Sequence, residues 1–296
     1  MQEEIIAKGC CGSARKVDQH SVLSALEVEF DPTDGNQVKE LVKRRYGHAA
    51  THAEGCGCGC SAENYEAEFA FVGEEYEGRD GYVAEADLGL GCGVPTDLAD
   101  IKSGDTVLDL GSGAGIDAFI AREEVGENGV IIGVDFTPEM VKKATENSAK
   151  LGYDNVSFLE GDIEDLPIDE ETVDVIISNC VLNLVPHKKE AFSEMYRVLK
   201  KGGHFTLSDI VIQGDLPDRL RESAALYAGC VSGAIAREDY FHLLKDAGFE
   251  DVSVVREHAI DIADEILLQM ASEAEVQAFK ASGGLASVTV TGFRRN

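Results

Sequence analysis

From Ser103 onward the chain settles into an alternation that few folds can accommodate. The apolar run "TVLDL" passes through "GSGAG" into the helical "IDAFIAREE", and "GVIIGVD" passes into "TPEMVKKATENSAKLG". In this second helix Thr137 stands at the cap, Pro138 in the first turn and Gly152 at the end, the order in which these residue types start and stop helices. "VSFLEGD", "VDVIISN" and "HFTLSDI" are further strand-like runs. Before the last of them, "KKEAFSEMYRVLKKGG" places Phe192, Met195, Tyr196 and Leu199 on one helical face. Strands alternating with helices build βαβ units. Two late runs, "FEDVSVVREH" and "ASVTVTGFRR", bring the strand count to seven. The expected fold is α/β, a doubly wound, mostly parallel, seven-stranded Rossmann-like sheet.

The rest of the chain is less regular. Residues 1–80 read as a cysteine-rich extension, 81–215 as the nucleotide-binding core, and 216–296 as an α+β region that covers the substrate and completes the sheet. Within the extension, "NQVKELVKRRYG" repeats Val38, Leu41, Val42 and Tyr46 at helical spacing, with Asn36 as cap and Gly47 at the stop. The tract "GCGCGCS" then interrupts all periodicity, and the acidic stretch from Glu63 to Asp87 reads as solvated surface or connector.

Charge narrows the partners. Asp and Glu number 55 against 26 Lys and Arg, a net charge of −29, which repels phosphate backbones and excludes nucleic acid and anionic membrane as natural partners. The longest apolar run, "VDVIISNCVLNLVP", falls short of the roughly 20 residues of a membrane helix. The start "MQEEIIAKGC" has no apolar signal core behind a basic lead, so the expected location is cytoplasmic.

The loop "VLDLGSGAG" carries glycines at alternate positions, Gly111, Gly113 and Gly115, where a strand meets a helix. Glycines there let a ligand approach the backbone at the carboxyl edge of the sheet. The Lys-Ser/Thr of a phosphate-cradling loop is missing, and the spacing is not that of a dinucleotide fingerprint. Asp109 precedes the loop, Asp135 ends the second strand where a carboxylate takes ribose hydroxyls, and Asp162 follows the third strand, placed to meet a purine amino group. With no Lys or Arg in the loop to neutralise a pyrophosphate, a nucleoside with a neutral or positive appendage fits best.

Together "VLDLGSGAG", "VDFTPEM", "EGDIEDLP", "VDVIISN" and "EMYRVLKKGGHFTLSD" resemble the class I S-adenosylmethionine-dependent methyltransferases over roughly residues 80–215. The resemblance implies that Gly111, Ser112 and Gly113 line the methionine end of the donor. It further implies that Asp135 and Phe136 hold ribose and adenine, that Asp162 and Ile163 contact adenine, and that Asn179 borders the methyl donor. An oxidoreductase with an unusual loop is the rival reading. Tyr65 and Tyr82 are candidate walls of the pocket.

Eight cysteines remain to be explained. Cys180 follows "VDVIISN" at the carboxyl end of a strand, Cys230 lies in "YAGCVSGA" in a covering helical region, and Cys92 lies in "LGLGCGVPTD" on the approach to the same edge. Thiolates select soft centres. Zinc wants four ligands and usually a Cys-x-x-Cys knuckle, which this chain lacks. Three thiols suit a trivalent pyramidal centre with a lone pair on its open side, as in trivalent arsenic. A lone pair aimed at a sulfonium methyl needs alignment and proximity but no general base. His187 therefore reads as a surface residue, and Asp117 as a favourable charge at a helix start.

"GCGVP", "SNCVLNLVP" and "AGCVSGA" make the chain similar to the arsenite methyltransferases. That resemblance implies arsenite and methylated trivalent arsenicals as substrates, with Cys180 and Cys230 as paired arsenic-binding thiols and Cys92 as the third. It also implies that Cys92 forms a disulfide during turnover, reduced by thioredoxin, glutathione or another thiol reductant, which calls for accessible thiolates. Cys56, Cys58 and Cys60 are either a secondary arsenite clip or redox relay, or thiols on a flexible linker. Cys10 and Cys11 are equally open between a metalloid clip and no role. Two rivals stand beside the main expectation: a methyltransferase for a carbon, nitrogen or oxygen acceptor, and a non-catalytic thiol protein that sequesters metalloids.

The acidity also fits a salt-rich setting, because counter-ions screen self-repulsion in the compact state. Raising KCl from about 0.1 M to about 1 M shrinks the screening length from roughly 10 Å to 3 Å. The expected result is a higher midpoint of thermal unfolding; a midpoint indifferent to KCl rejects this reading.

Overall fold

The computed structural model describes residues 31–52, 76–214, 216–221, 230–231 and 233–295, with two short strands, β1 (Ile6–Lys8) and β2 (Ala14–Lys16). Cys10, Cys11, Cys56, Cys58, Cys60, Tyr65 and the helical stretch expected before Cys230 lie outside the described residues. Strands β1 and β2 pair antiparallel, away from the main sheet.

The main sheet holds the seven expected strands. These are β3 (Thr106–Leu110), β4 (Val130–Asp135), β5 (Val156–Glu160), β6 (Val173–Asn179), β7 (Leu199–Ile212), β8 (Glu250–Ile260) and β9 (Leu285–Phe293). Their order is β5-β4-β3-β6-β7-β9-β8. The first five run parallel, and β9 lies antiparallel between β7 and β8. Strand β3 is central: Leu108 is level with Ile132 on one side and Ile176 on the other. The chain reverses its order of addition between β3 and β6, which opens a crevice beyond their carboxyl ends.

Helices cover both faces. Helices α1 (Gly35–His52), α2 (Ile116–Val125), α3 (Pro138–Leu151), α4 (Lys188–Val198) and α6 (Arg237–Asp246) are the long ones before β8. The single turn α5 (Asp218–Arg221) falls between β7 and α6, and α7 (Asp264–Leu267) and α8 (Glu273–Ala281) precede β9. Leu108, Leu110, Ile131, Ile176, Ile177, Phe119, Phe192 and Met195 are fully buried between these layers. Each such side chain contributes about 1.5–3 kcal/mol relative to exposure. Among the described residues no helix is long and apolar enough to cross a membrane.

The first long helix differs from its sequence reading. Asp34, not Asn36, supplies the cap, its Oδ1 accepting the Asn36 and Gln37 backbone N–H groups at 3.0 and 3.3 Å. Gly47 does not stop the helix, which continues to His52. A Cβ at Gly47 would stand 3.2 Å from Glu139 Oε2, so glycine here allows α1 to lie close against α3. Val38 and Val42 are buried, which fastens this helix to the core.

A buried polar network joins β7 to two helices. Tyr240 on α6 donates to Asp209 Oδ2 on β7 at 2.7 Å. Lys188 at the start of α4 donates to the carbonyls of Val185 at 3.0 Å and Asn183 at 3.3 Å. Burial pushes the Asp209 carboxyl up to about 7, against the opposing pull of the Tyr240 hydroxyl and the Lys188 ammonium. Its ordinary value is 3.8, so between those two pH values the folded state retains a proton that the unfolded chain has released. Stability contributed by this residue is therefore lost as pH rises through that window. Asp209→Asn is expected to flatten the fall in unfolding midpoint between about pH 4 and pH 7, as read by thermal denaturation; an unchanged slope would reject the assignment.

Candidate active site

Beyond the carboxyl ends of β3, β4 and β6 lies a cavity of about 1020 Å³. Its floor is the loop after β3. Gly111 has φ +66°, and a Cβ there would stand 2.4 Å from Val181 Cγ2. Gly113 donates its N–H to Asp135 Oδ2 at 2.9 Å, while Asp135 Oδ1 accepts from Thr137 N at 2.9 Å. Asp109, Gly111, Ser112, Gly113, Asp135 and Phe136 all face this space, as do Asp162, Ile163 and Asn179. These nine residues, expected from the sequence at the donor site, are thus gathered around one opening.

Its electrostatics favour a cation. Asp109, Asp117 and Asp135 are buried around the loop. Burial drives Asp109 well above the ordinary carboxylate range, and the charges of Asp117 and Asp135 push it further. Burial raises Asp117 to about 6 against the Tyr76 hydroxyl and the Asn179 amide, and raises Asp135 against the N–H groups of Thr137 and Gly113. A positive group nearby would favour the ionised forms of all three. Asp109 Oδ2, Ser112 Oγ and Asp117 Oδ1 are buried without a hydrogen-bond partner, and buried polar atoms ordinarily have one. A glycine floor, partnerless acceptors and clustered carboxylates fit a nucleoside with a positively charged arm.

Three contributors were not legible as such. Tyr76, inside the stretch read as acidic connector, is buried and donates to Asp117 Oδ2 at 2.8 Å. Asp117 does lie in the first turn of α2, yet it also lines the cavity. Helix α1 turns Lys39, Val42 and Tyr46 toward the opening. Lys39 Nζ bonds Asp162 Oδ2 at 2.6 Å and Glu164 Oε2 at 2.5 Å. The only sequence signal for these residues was the 3-, 4- and 7-residue spacing along α1. Tyr82 packs beside Tyr76 and Val94 away from the cavity, and His187 is exposed as expected.

Beside the opening the three thiols share one cluster, and of the three Cys180 lines the cavity. Cys92, Cys180 and Cys230 belong to one buried apolar cluster, at 2 %, 5 % and 3 % exposure. Cys180 follows β6 directly and lines the cavity. The glycines beside Cys92 are there for close approach: a Cβ at Gly91 would stand 2.7 Å from Asn179 Nδ2, and one at Gly93 2.7 Å from Ser208 Oγ. Asn179 Oδ1 accepts the Cys92 N–H at 3.0 Å, and Ser287 Oγ donates to the Cys92 carbonyl at 2.7 Å. Cys180 and Cys230 both sit in left-handed backbone, at φ +60° and +65°.

The thiols are neighbours but not a formed ligand set. Cys230 Sγ donates to the Cys180 carbonyl at 2.9 Å, and Cys92 Sγ to the Ser208 carbonyl at 3.4 Å. Among the described residues no three His, Cys, Asp or Glu side chains are arranged as a metal-ion site. Burial raises the Cys92 thiol, and raises Cys180 well above its usual range with further pressure from Cys230 and Cys92. The accessible thiolates expected for redox exchange are not found here; all three thiols are buried.

Comparison with known proteins places the chain in context. Residues 101–248 match the family described as "Methyltransferase domain". An arsenite methyltransferase of Halobacterium salinarum is 43% identical over 75% of this chain and 59% of its own length. One from Aquipseudomonas alcaligenes is 38% identical over 62% of this chain and 55% of its own. The chain thus spans less than two thirds of these relatives. The crystal structure of an arsenic (III) S-adenosylmethionine methyltransferase from Chlamydomonas reinhardtii superposes with a TM-score of 0.58 at 36% identity, covering 69% of this chain and 67% of that one. With the sheet order, the glycine loop and this match over half its length, the chain belongs to the methyltransferase-domain family.

Proposed function

We propose that this protein transfers methyl groups from S-adenosylmethionine to trivalent arsenic held by Cys92, Cys180 and Cys230. The observation that carries the reading is the convergence of three thiols, from three distant stretches of chain, beside a cavity suited to a cationic nucleoside. The relatives named as arsenite methyltransferases support it.

When bound, the donor supplies an electrophilic sulfonium methyl group. Gly111, Ser112 and Gly113 receive its methionine end, with Asp117 and Asp109 offering their partnerless oxygens. Asp135 takes the ribose, Phe136 and Ile163 flank the adenine, and Asp162 reaches the purine amino group after releasing Lys39. Asn179 borders the methyl.

Arsenite enters as a neutral trihydroxide, which an apolar thiol pocket admits without the cost of burying a charge. Each thiol proton leaves with one arsenic hydroxide as water, so three arsenic–sulfur bonds form with no net proton change. The carbonyls of Cys180 and Ser208 then lose the S–H groups they accept in the free protein. Methyl transfer to the arsenic lone pair raises arsenic by two oxidation units. Two of the arsenic-bound sulfurs, Cys92 among them, return it to the trivalent state by leaving together as a disulfide; water supplies hydroxide to the vacated arsenic position and releases a proton, and a small external thiol or thioredoxin restores the pair. Because Cys180 lines the cavity, that opening is the route by which a reductant reaches sulfurs otherwise enclosed.

Purified protein given arsenite, donor and a thiol should release methylated arsenicals together with demethylated donor. Arsenite bound without consumption of donor would instead indicate sequestration, and donor consumption only with another acceptor would indicate a different transferase. Cys180→Ser or Cys230→Ser should abolish arsenite methylation while leaving donor affinity intact. Cys92→Ser should fail on arsenite yet retain turnover of monomethylated trivalent arsenic, which needs two sulfur ligands. Three thiol variants as active as the parent would defeat the site.

Asp135→Ala should weaken donor binding by about tenfold or more, from loss of charge-assisted hydrogen bonds, with arsenic capture nearly unchanged. Isothermal titration with each ligand separates the two effects; equal loss of both affinities would point to misfolding of the loop instead.

A further inference from the structure

Helix α1 lies along the cavity with one face toward it. Lys39, Val42 and Tyr46, spaced by three and four residues, all line the opening, as one helical stripe must. Lys39 marks one end, bonded to Asp162 and Glu164. Tyr46 marks the other. It packs against the cluster that contains Cys92, Cys180 and Cys230, and also against the cluster beneath the glycine loop. Its phenol lies near the Cys230 and Cys180 sulfurs.

The hydrogen bonds of the free thiols give this placement a role. Cys230 donates to the Cys180 carbonyl, and Cys92 to the Ser208 carbonyl. Both bonds need a proton on sulfur. When sulfur exchanges its proton for arsenic, it can no longer donate and becomes an acceptor. A buried acceptor without a donor is costly, and a hydrogen bond to the charged or metallated form favours that form. Tyr46, packed against the cluster that contains the thiols, carries such a donor.

We infer that Tyr46 is a positioning residue for the metalloid: its hydroxyl donates to the Cys230 sulfur once the proton is gone, and its ring closes the passage between the thiols and the donor cavity. A phenol keeps its proton at neutral pH and so stays a donor. No bond is made or broken at the tyrosine. It acts only through Cys230, and the inference rests on the reading of the three thiols as the arsenic site.

Tyr46→Phe keeps the ring and removes the hydroxyl. Steady-state methylation by the full chain is measured as a function of arsenite, at saturating donor and thiol. The expected result is an arsenite KM raised about tenfold, the loss of one hydrogen bond to a charged acceptor, with kcat changed less than about twofold. Titration of trivalent arsenic, followed by arsenic–sulfur absorption in the ultraviolet, should show the same loss of affinity without turnover. Donor affinity, measured by calorimetry, should be unaltered.

A role in packing alone predicts a different pattern. Phenylalanine then leaves both KM and the titration unchanged, and that result overturns the inference while wild-type methylation still stands. A fall in kcat and donor affinity with unchanged arsenite KM also overturns it, because it would place the hydroxyl on the donor. If the wild-type chain binds no arsenic, the underlying reading fails, and the inference fails with it. Tyr46→Ala supplies the second arm. It should raise the arsenite KM at least as much as Tyr46→Phe and in addition lower kcat, since the opened passage admits water; an alanine variant no worse than phenylalanine rejects the part assigned to the ring.

Discussion

One amide at the carboxyl end of β6 ties the two halves of the site together. Asn179 accepts the Cys92 N–H through Oδ1, and through Nδ2 it donates to the Gly93 carbonyl, to the Tyr76 hydroxyl and to Asp117. The partners come from three stretches of chain, Cys92 and Gly93 sharing one. The thiol loop before β3, the carboxylate at the head of α2 and the strand behind Cys180 are therefore fixed relative to one side chain. Half-buried among these partners, the amide couples them, because a partner lost where water is excluded leaves donors and acceptors unsatisfied at about 1–3 kcal/mol each. Cys180 is the next residue, and its own N–H bonds the Ser208 carbonyl at 2.7 Å.

The parts of this picture that the amino-acid sequence made legible are those set by local chemistry. A strand, a glycine turn and a capped helix are written in adjacent residues, and so Gly111, Gly113, Asp135 and Asp162 could be placed before any coordinates. Cys180 is assigned to the crevice edge because the parallel topology sends the residues after β3, β4 and β6 to the same side, Cys92 by its loop on the approach to that edge and Cys230 by its place in the covering region. What lay beyond reach depends on packing over long separations. Tyr76 sits in an acidic stretch and is buried only because Asp117 and Asn179 meet its hydroxyl. Helix α1 looked as though it should end at Gly47, and only the nearness of α3 explains why a glycine continues the helix. The degree to which the thiols are enclosed was also invisible, since a sequence gives neighbours but not depth.

That enclosure shapes the chemistry proposed for the site. A thiol raised by burial is a poor nucleophile toward ordinary electrophiles at neutral pH and resists adventitious oxidation, because the thiolate is the reactive form. A soft centre that brings its own hydroxides needs no free thiolate, as each sulfur proton departs in water. Low polarity thus acts as a filter: it silences the cysteines toward most partners and leaves them open to one that removes the proton as it binds. The donor end of the same cavity works in the opposite sense, with burial penalising the charges of Asp109 and Asp117, a penalty that a cation beside them would relieve.

Strand β9 enters between β7 and β8 although it is last in the chain, and its Ser287 holds the carbonyl of Cys92. During synthesis the thiols emerge long before that serine. A growing polypeptide still lacking β9 has its cysteines and its glycine turn but not the serine hydroxyl that holds the Cys92 carbonyl. The second anchor of that loop is therefore added only after every other strand of the main sheet has been made.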